Sequence, residues 1–244
     1  MGATALEFRL RMVVNVAIIV LGVWAPWVPV ERRQYILEWL PREVTRAGLM
    51  PFSTAVTTTL IIAGLLAALG AILRVWGTAS LGPATVTSLD MKSGPVVASG
   101  PYRYVRNPLY LGLWFMVAAI ALLMQPSGAA LAMPLLTLFV LRLTLGEEAF
   151  LSGRLGEPYR AYLRAVPRFL PRLRNNLPPS ESTSQWGTAF LSELTPIGVL
   201  VGIVVFASTY NSGVMARIIL IGWGASLIAR AFLPRPQSES TSSA

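Results

Sequence analysis

The chain of 244 residues contains no cysteine and no histidine. The first absence excludes disulfides, thiolate metal ligands and a cysteine nucleophile. The second removes imidazole ligands and the commonest side-chain base near neutral pH. An all-oxygen magnesium site survives both absences, but no carboxylate spacing points to one, and no metal is expected. Charged residues are few, 13% of the chain against 54% hydrophobic. The apolar residues fall in long runs, not in an amphipathic pattern. As helix, such runs cross the roughly 30 Å of a bilayer's hydrocarbon core. The fold class is therefore all-α, a polytopic transmembrane helical protein.

Six spans are expected, at 12–30, 54–73, 108–124, 129–145, 195–210 and 214–233. Several are short, so tilt or local thinning is expected with them. The first follows Arg9 and Arg11 but lacks a small-residue cleavage site before a soluble domain, so it reads as a retained span, not a signal peptide. The third and fourth are split only by Gln125–Gly128, a turn signal that predicts an antiparallel hairpin. Asn211–Gly213 splits the last two in the same way. The formal charge of +9 follows the positive-inside rule rather than pointing to nucleic acid. With both termini cytoplasmic, the arginine-rich second and fourth loops lie inside, and only the first loop carries its arginines outside. Tyr35–Val44 of that first loop reads as an interfacial segment. The expected site thus faces the cytoplasm, in a plasma or bacterial inner membrane.

The expected organisation is an N-terminal span and interfacial loop (1–51), a reaction core (52–174), a linker (175–194), a terminal helix pair (195–233) and a disordered polar tail (234–244). In the terminal pair, Gly198 and Gly202 have the small-xxx-small spacing of packed membrane helices.

Polar chemistry concentrates in loops two and four, which the hairpin brings to one face. Loop two ends in Gly100–Gly112, GPYRYVRNPLYLG, where Pro108 is placed to open the third span. Loop four begins at Glu147 and Glu148. Helical spacing puts Glu148, Leu151 and Leu155 on one face, and Tyr159 beside Tyr162. Pro167 interrupts the turn between Arg164 and Arg168. Taken singly, Tyr and Arg at a span end read as interface anchors. A carboxylate at membrane depth has a partner or a task. For Glu148, an ion pair with Arg142 and a ligand role both stand open. Asp90 and Lys92, in a glycine-containing loop, read as solvated.

The Gly100–Gly112 stretch resembles the first signature of the isoprenylcysteine carboxyl methyltransferase-like membrane proteins, which also include phospholipid methyltransferases. Gly146–Glu148 followed by Leu155–Pro171 resembles their second signature, and Arg74–Pro83 the segment before the first. The similarity covers about 52–174. It implies an S-adenosyl-L-methionine pocket closed by the segment after the fourth span, with a lipid-like acceptor entering from the bilayer. By resemblance the cofactor would be bound by Tyr104, Arg106, Asn107, Pro108, Tyr110 and Glu147. Glu148 and Arg168 would be the catalytic pair, and Arg164 an alternative to Arg168 facing the acceptor or closing the cap. Asn107 stands where the family usually has histidine. It keeps a donor and an acceptor but carries no proton near neutral pH.

Methyl transfer asks chiefly for alignment and exclusion of water, which suits a chain without Cys or His. A carboxylate acceptor needs no base; for an amine, Glu148 is the candidate. Acceptors with a carboxylate, an amine or a thiol remain open, as do two rival readings. One is a nicotinamide-dependent membrane lipid reductase. The other is a lipid-binding relative without turnover, which Asn107 keeps in view.

Overall fold

The computed structural model describes residues 2–82, 99–172 and 184–232, and among them every regular element is helical. Asp90, Lys92 and the polar tail lie outside the described residues. The helices are α1 (Ala5–Arg9), α2 (Arg11–Trp24), α3 (Ile36–Arg46), α4 (Phe52–Leu81), α5 (Pro108–Ala121), α6 (Pro126–Leu155), α7 (Glu157–Ala165), α8 (Trp186–Ser192), α9 (Leu194–Thr209) and α10 (Ser212–Phe232).

Among the described residues three helices, α4, α6 and α10, are long and apolar enough to cross a membrane, and the α8–α9 pair, bent by 64°, makes a fourth if taken as one span. By that measure the expected count of six is not reached, because the first and third expected spans form only short apolar helices. The run at 12–30 stops as helix at Trp24, because Ala25 turns left-handed at φ 41° and Pro26 and Pro29 follow. α5 opens at Pro108 and ends at Ala121. α2 and α5 have 14 residues each, or roughly 21 Å of helix, short of a ~30 Å hydrocarbon core. Exposed Ile61, Leu65, Leu69 and Ile72 on α4, and Leu220, Ile221 and Ile228 on α10, present the apolar surface of an integral membrane protein.

Small residues let the helices close up. On α4, Ala55, Thr59, Ala63, Ala67, Ala71, Val75 and Ala79 recur every fourth position and are all buried. α5 crosses this stripe at Gly70 and Gly112. A Cβ on Gly70 would lie 2.8 Å from the Gly112 carbonyl oxygen, and one on Gly112 2.9 Å from that of Gly70. The backbones touch there, as small residues allow in membrane helix pairs. Around this crossing, Ile18, Leu113, Met116, Val117, Leu136, Val140, Val199 and Ile203 form one core drawn from α2, α5, α6 and α9.

α2 lies antiparallel to α6. Gly22 meets Gly128 at one end, and the chain start meets Gly146 at the other. The Ala3 N–H donates to the Arg142 carbonyl at 2.8 Å, and the Arg142 guanidinium holds Glu7 at 2.8 Å. The suggested Arg142–Glu148 pair is therefore not formed. Six residues are one and two-thirds helical turns, so the two side chains leave α6 in different directions. α3 packs against α4, and its Ile36 N–H donates to the Met124 carbonyl at 2.8 Å, in the turn between α5 and α6. Within 175–194, read as a linker, residues 186–192 form α8, which packs on α4 and α10. α9 and α10 form the expected hairpin, and a Cβ on Gly198 would come within 3.2 Å of the Gly222 Cα.

Candidate functional site

The polar loops do converge. α4 and α6 deliver their C-terminal ends, and α5 its N-terminal end, to the same region. Gly100 starts a tight turn over Gly100–Arg103 with φ 52°, and a Cβ there would come within 2.0 Å of Ser80 Oγ on α4. Only glycine fits both the conformation and the space. The turn aims Tyr104 at Trp76 of α4, with ring centroids 6.1 Å apart and planes tilted by 48°.

Glu148 is the hub. It is buried on the last part of α6. Arg106 Nη1 donates to its Oε1 at 3.0 Å, and Arg168 Nη2 donates to its Oε2 at 2.7 Å. The Arg168 Nε–H adds contacts of 3.2 Å to both oxygens. The carboxylate thus ties the second loop to the segment after α7. That hydrogen bond holds the Arg168 guanidinium above its usual pKa, against the partial loss of water around it.

Backbone contacts reinforce the tie. The Arg106 N–H donates to the Pro167 carbonyl at 2.9 Å, and the Arg172 N–H to the Tyr104 carbonyl at 3.0 Å. Asn107 precedes the first residue of α5 but does not cap it. Its Nδ2–H donates instead to the Arg168 carbonyl at 3.3 Å. Residues 166–172 therefore lie as a strap across the opening of α5.

α7 supports the strap. Tyr159 and Tyr162 stand together as their spacing predicts, with ring centroids 5.8 Å apart, and Leu151 and Leu155 pack against them. The Tyr162 hydroxyl donates to the Tyr102 carbonyl at 2.9 Å. Burial pushes the phenols of Tyr102, Tyr159 and Tyr162 up, so they stay neutral. α7 ends at Ala165 and Val166 is extended. That break before Pro167 separates Arg164 from Arg168, and Arg164 pairs with Glu157 on the exposed side, away from Glu148.

Next to the strap, Glu147 and Tyr110 share a hydrogen bond, and Arg11 of α2 lies within electrostatic reach of both. Among the described residues, Arg106 Nε is buried with no hydrogen-bond partner. Of the residues expected from the sequence, Arg106, Asn107, Glu148 and Arg168 form one connected group. Tyr110 and Glu147 form a second, and Tyr104 stands at the edge against Trp76. Pro108 is buried at the first position of α5.

Sequence reasoning gave no site role to Glu193, Arg74 or Arg11. Glu193 stands directly before an apolar run, and a carboxylate in that position was the signal.

A profile of the phospholipid methyltransferase family matches residues 58–157. No curated protein and no solved structure matches the chain. The matched segment holds Tyr104, Arg106, Asn107, Tyr110, Glu147 and Glu148, and stops before Arg164 and Arg168. The chain is thus a membrane-embedded helical protein whose central part, from α4 to the start of α7, is kin to the methyltransferase-like membrane proteins.

Proposed function

We propose that the protein is an S-adenosyl-L-methionine-dependent methyltransferase acting on a membrane-embedded, lipid-like or isoprenoid acceptor at the cytoplasmic face. The observation that carries this reading is the strap: the segment after α7 closes over the opening of α5, with Glu148 bridging Arg106 and Arg168. A site that must keep water from a reactive methyl group needs such a cover. The chain's own side chains fit the donor's polar parts. The unpartnered Nε–H of Arg106 suits the carboxylate of an amino acid, the Tyr110–Glu147 pair an ammonium or sulfonium, and the Tyr104–Trp76 faces an aromatic base.

When bound, S-adenosyl-L-methionine supplies a methyl group on a sulfonium, which an acceptor lone pair takes as the carbon–sulfur bond breaks. The protein's part is to align and to exclude water. Glu148 has both oxygens engaged by guanidiniums, so its place in this scheme is to orient Arg106 and Arg168. That favours an acceptor already nucleophilic at neutral pH. Purified protein incubated with labelled donor and fractionated membrane lipids should yield one labelled lipid class. Absence of donor binding would sink the reading.

A second reading, a lipid-binding relative without turnover, has one observation in its favour. Asn107 spends its amide N–H on the Arg168 carbonyl, a structural bond. Donor binding with no labelled product from any lipid fraction would support it.

A further inference from the structure

A buried polar cluster lies where α4, α8, α9 and α10 meet, and its terminal half falls outside the family-matched segment. Glu193 sits at the break between α8 and α9 and is 0% exposed. It accepts from Arg74 Nε at 2.7 Å, from Arg74 Nη2 at 3.0 Å and from Thr78 Oγ1 at 2.8 Å. Arg230 of α10 comes within 4.0 Å of the same carboxylate. Its Nε–H donates to the Ser192 carbonyl at 3.0 Å, and that carbonyl also accepts from Ser226 Oγ at 2.6 Å.

Arg74 looks two ways. Its fork is held bidentately by Glu193, the most directional pairing a carboxylate offers. Its remaining nitrogen, Nη1, makes a long contact of 3.5 Å to the Leu109 carbonyl in the first turn of α5. Its stem lies over Gly112, where a Cβ would come within 2.7 Å of the Arg74 Cγ. Docking two apolar helices on α4 would need no charges. A buried ion pair is seldom more stable than well-packed apolar residues in its place. Stability alone therefore does not account for a carboxylate placed here, whereas orientation of Arg74 does.

We infer that the terminal helices are a working part of the candidate site. Glu193 is a positioning residue that holds Arg74, and Arg74 holds the opening turn of α5, on which Asn107, Pro108 and Tyr110 stand. The inference deepens the proposed function, since it takes that turn as part of the donor site.

The test uses the full chain in lipid nanodiscs, as wild type and as Glu193→Gln, Arg74→Lys, Thr78→Val and Ser226→Ala. The first readout is hydrogen exchange at the amides of Leu111, Gly112 and Leu113, the first being the one bonded to the Asn107 carbonyl at 3.0 Å. The second is the dissociation constant of S-adenosyl-L-methionine. Glu193→Gln and Arg74→Lys should speed exchange at these amides about tenfold, as expected when local opening of the turn becomes easier. Both should weaken donor binding. Thr78→Val, which removes one donor to Glu193 without unpairing a charge, should do the same to a lesser degree. Ser226→Ala loosens α10 but leaves the Arg74–Glu193 pair, and should leave these amides as they were. Faster exchange confined to α8–α10 in the first three variants would overturn the inference, because the pair would then only dock the helices. If Glu193→Gln fails to fold, Arg74→Lys and Thr78→Val decide. If the wild type binds no donor, the proposed function fails, while the exchange data still judge the positioning role.

Discussion

Removing the Glu148 side chain should release the strap far more than removing its Arg168 partner, because burial differs along the bridge. The Glu148 side chain is 9% exposed and that of Arg106 15%. Glu148→Ala leaves the Arg106 guanidinium unpaired in a buried setting where its Nε already lacks a partner. Breaking a buried pair from one side costs about 3–5 kcal/mol. The Arg168 side chain is 37% exposed, so its half of the bridge is worth closer to a surface pair, about 0.2–1 kcal/mol. Arg168→Ala also leaves Glu148 still bonded to Arg106. At ~1.4 kcal/mol per factor of ten, Glu148→Ala should raise the open population of the strap more than a hundredfold, and Arg168→Ala less than about tenfold. Hydrogen exchange at the Arg106 and Arg172 amides reads this directly, because both donate to strap or loop carbonyls. Equal loosening by the two variants would refute the reasoning, since burial would then not set the strength of the bridge.

Tyr162→Phe removes the hydroxyl bonded to the Tyr102 carbonyl and should lower stability by about 1–3 kcal/mol, read by thermal unfolding in detergent. Gly112→Val drives new atoms against Arg74 and the Gly70 carbonyl, an overpacking cost of about 1–3 kcal/mol, seen as a lower melting temperature. Glu7 has a lowered pKa, first because of its hydrogen bond from the Thr4 backbone and then because of Arg142. Its contribution is present above the ordinary carboxylate pKa and disappears as pH falls through the lowered value. Glu7→Gln should therefore melt below the wild type at neutral pH and match it in acid. Asn107→Ala should loosen Arg168 slightly without unfolding the protein, measured by limited proteolysis in residues 166–172.

Local rules made part of this structure legible. Pro108 opens α5, Gln125 lies in the turn before α6, and Tyr159 and Tyr162 pair at three-residue spacing, because each depends on neighbours within a turn. The meeting of loops two and four was legible for a topological reason, since one hairpin returns the chain to the same face. The helix ends were less so. Hydropathy averages over a window and does not register a left-handed residue such as Ala25. The long-range pairs were not legible at all. Arg74 and Glu193 are 119 positions apart, and Glu7 and Arg142 are 135 apart. Spacing along a helix carries no information about such partners. Nearness in sequence left open a pair between Arg142 and Glu148 that is not formed.

The shortness of α5 bears on where the proposed methyl transfer would happen in the bilayer. With its far end at one boundary, 14 residues reach only about 21 Å into a layer of about 30 Å, and any tilt reduces that reach. With that end so placed, Asn107 would stand several ångströms below the near headgroups, while Arg106 reaches up to Glu148 on the longer α6. An amphiphile would not have to lift its polar end into water to be modified. It would have to sink slightly, and poorly hydrated head groups would do so most readily.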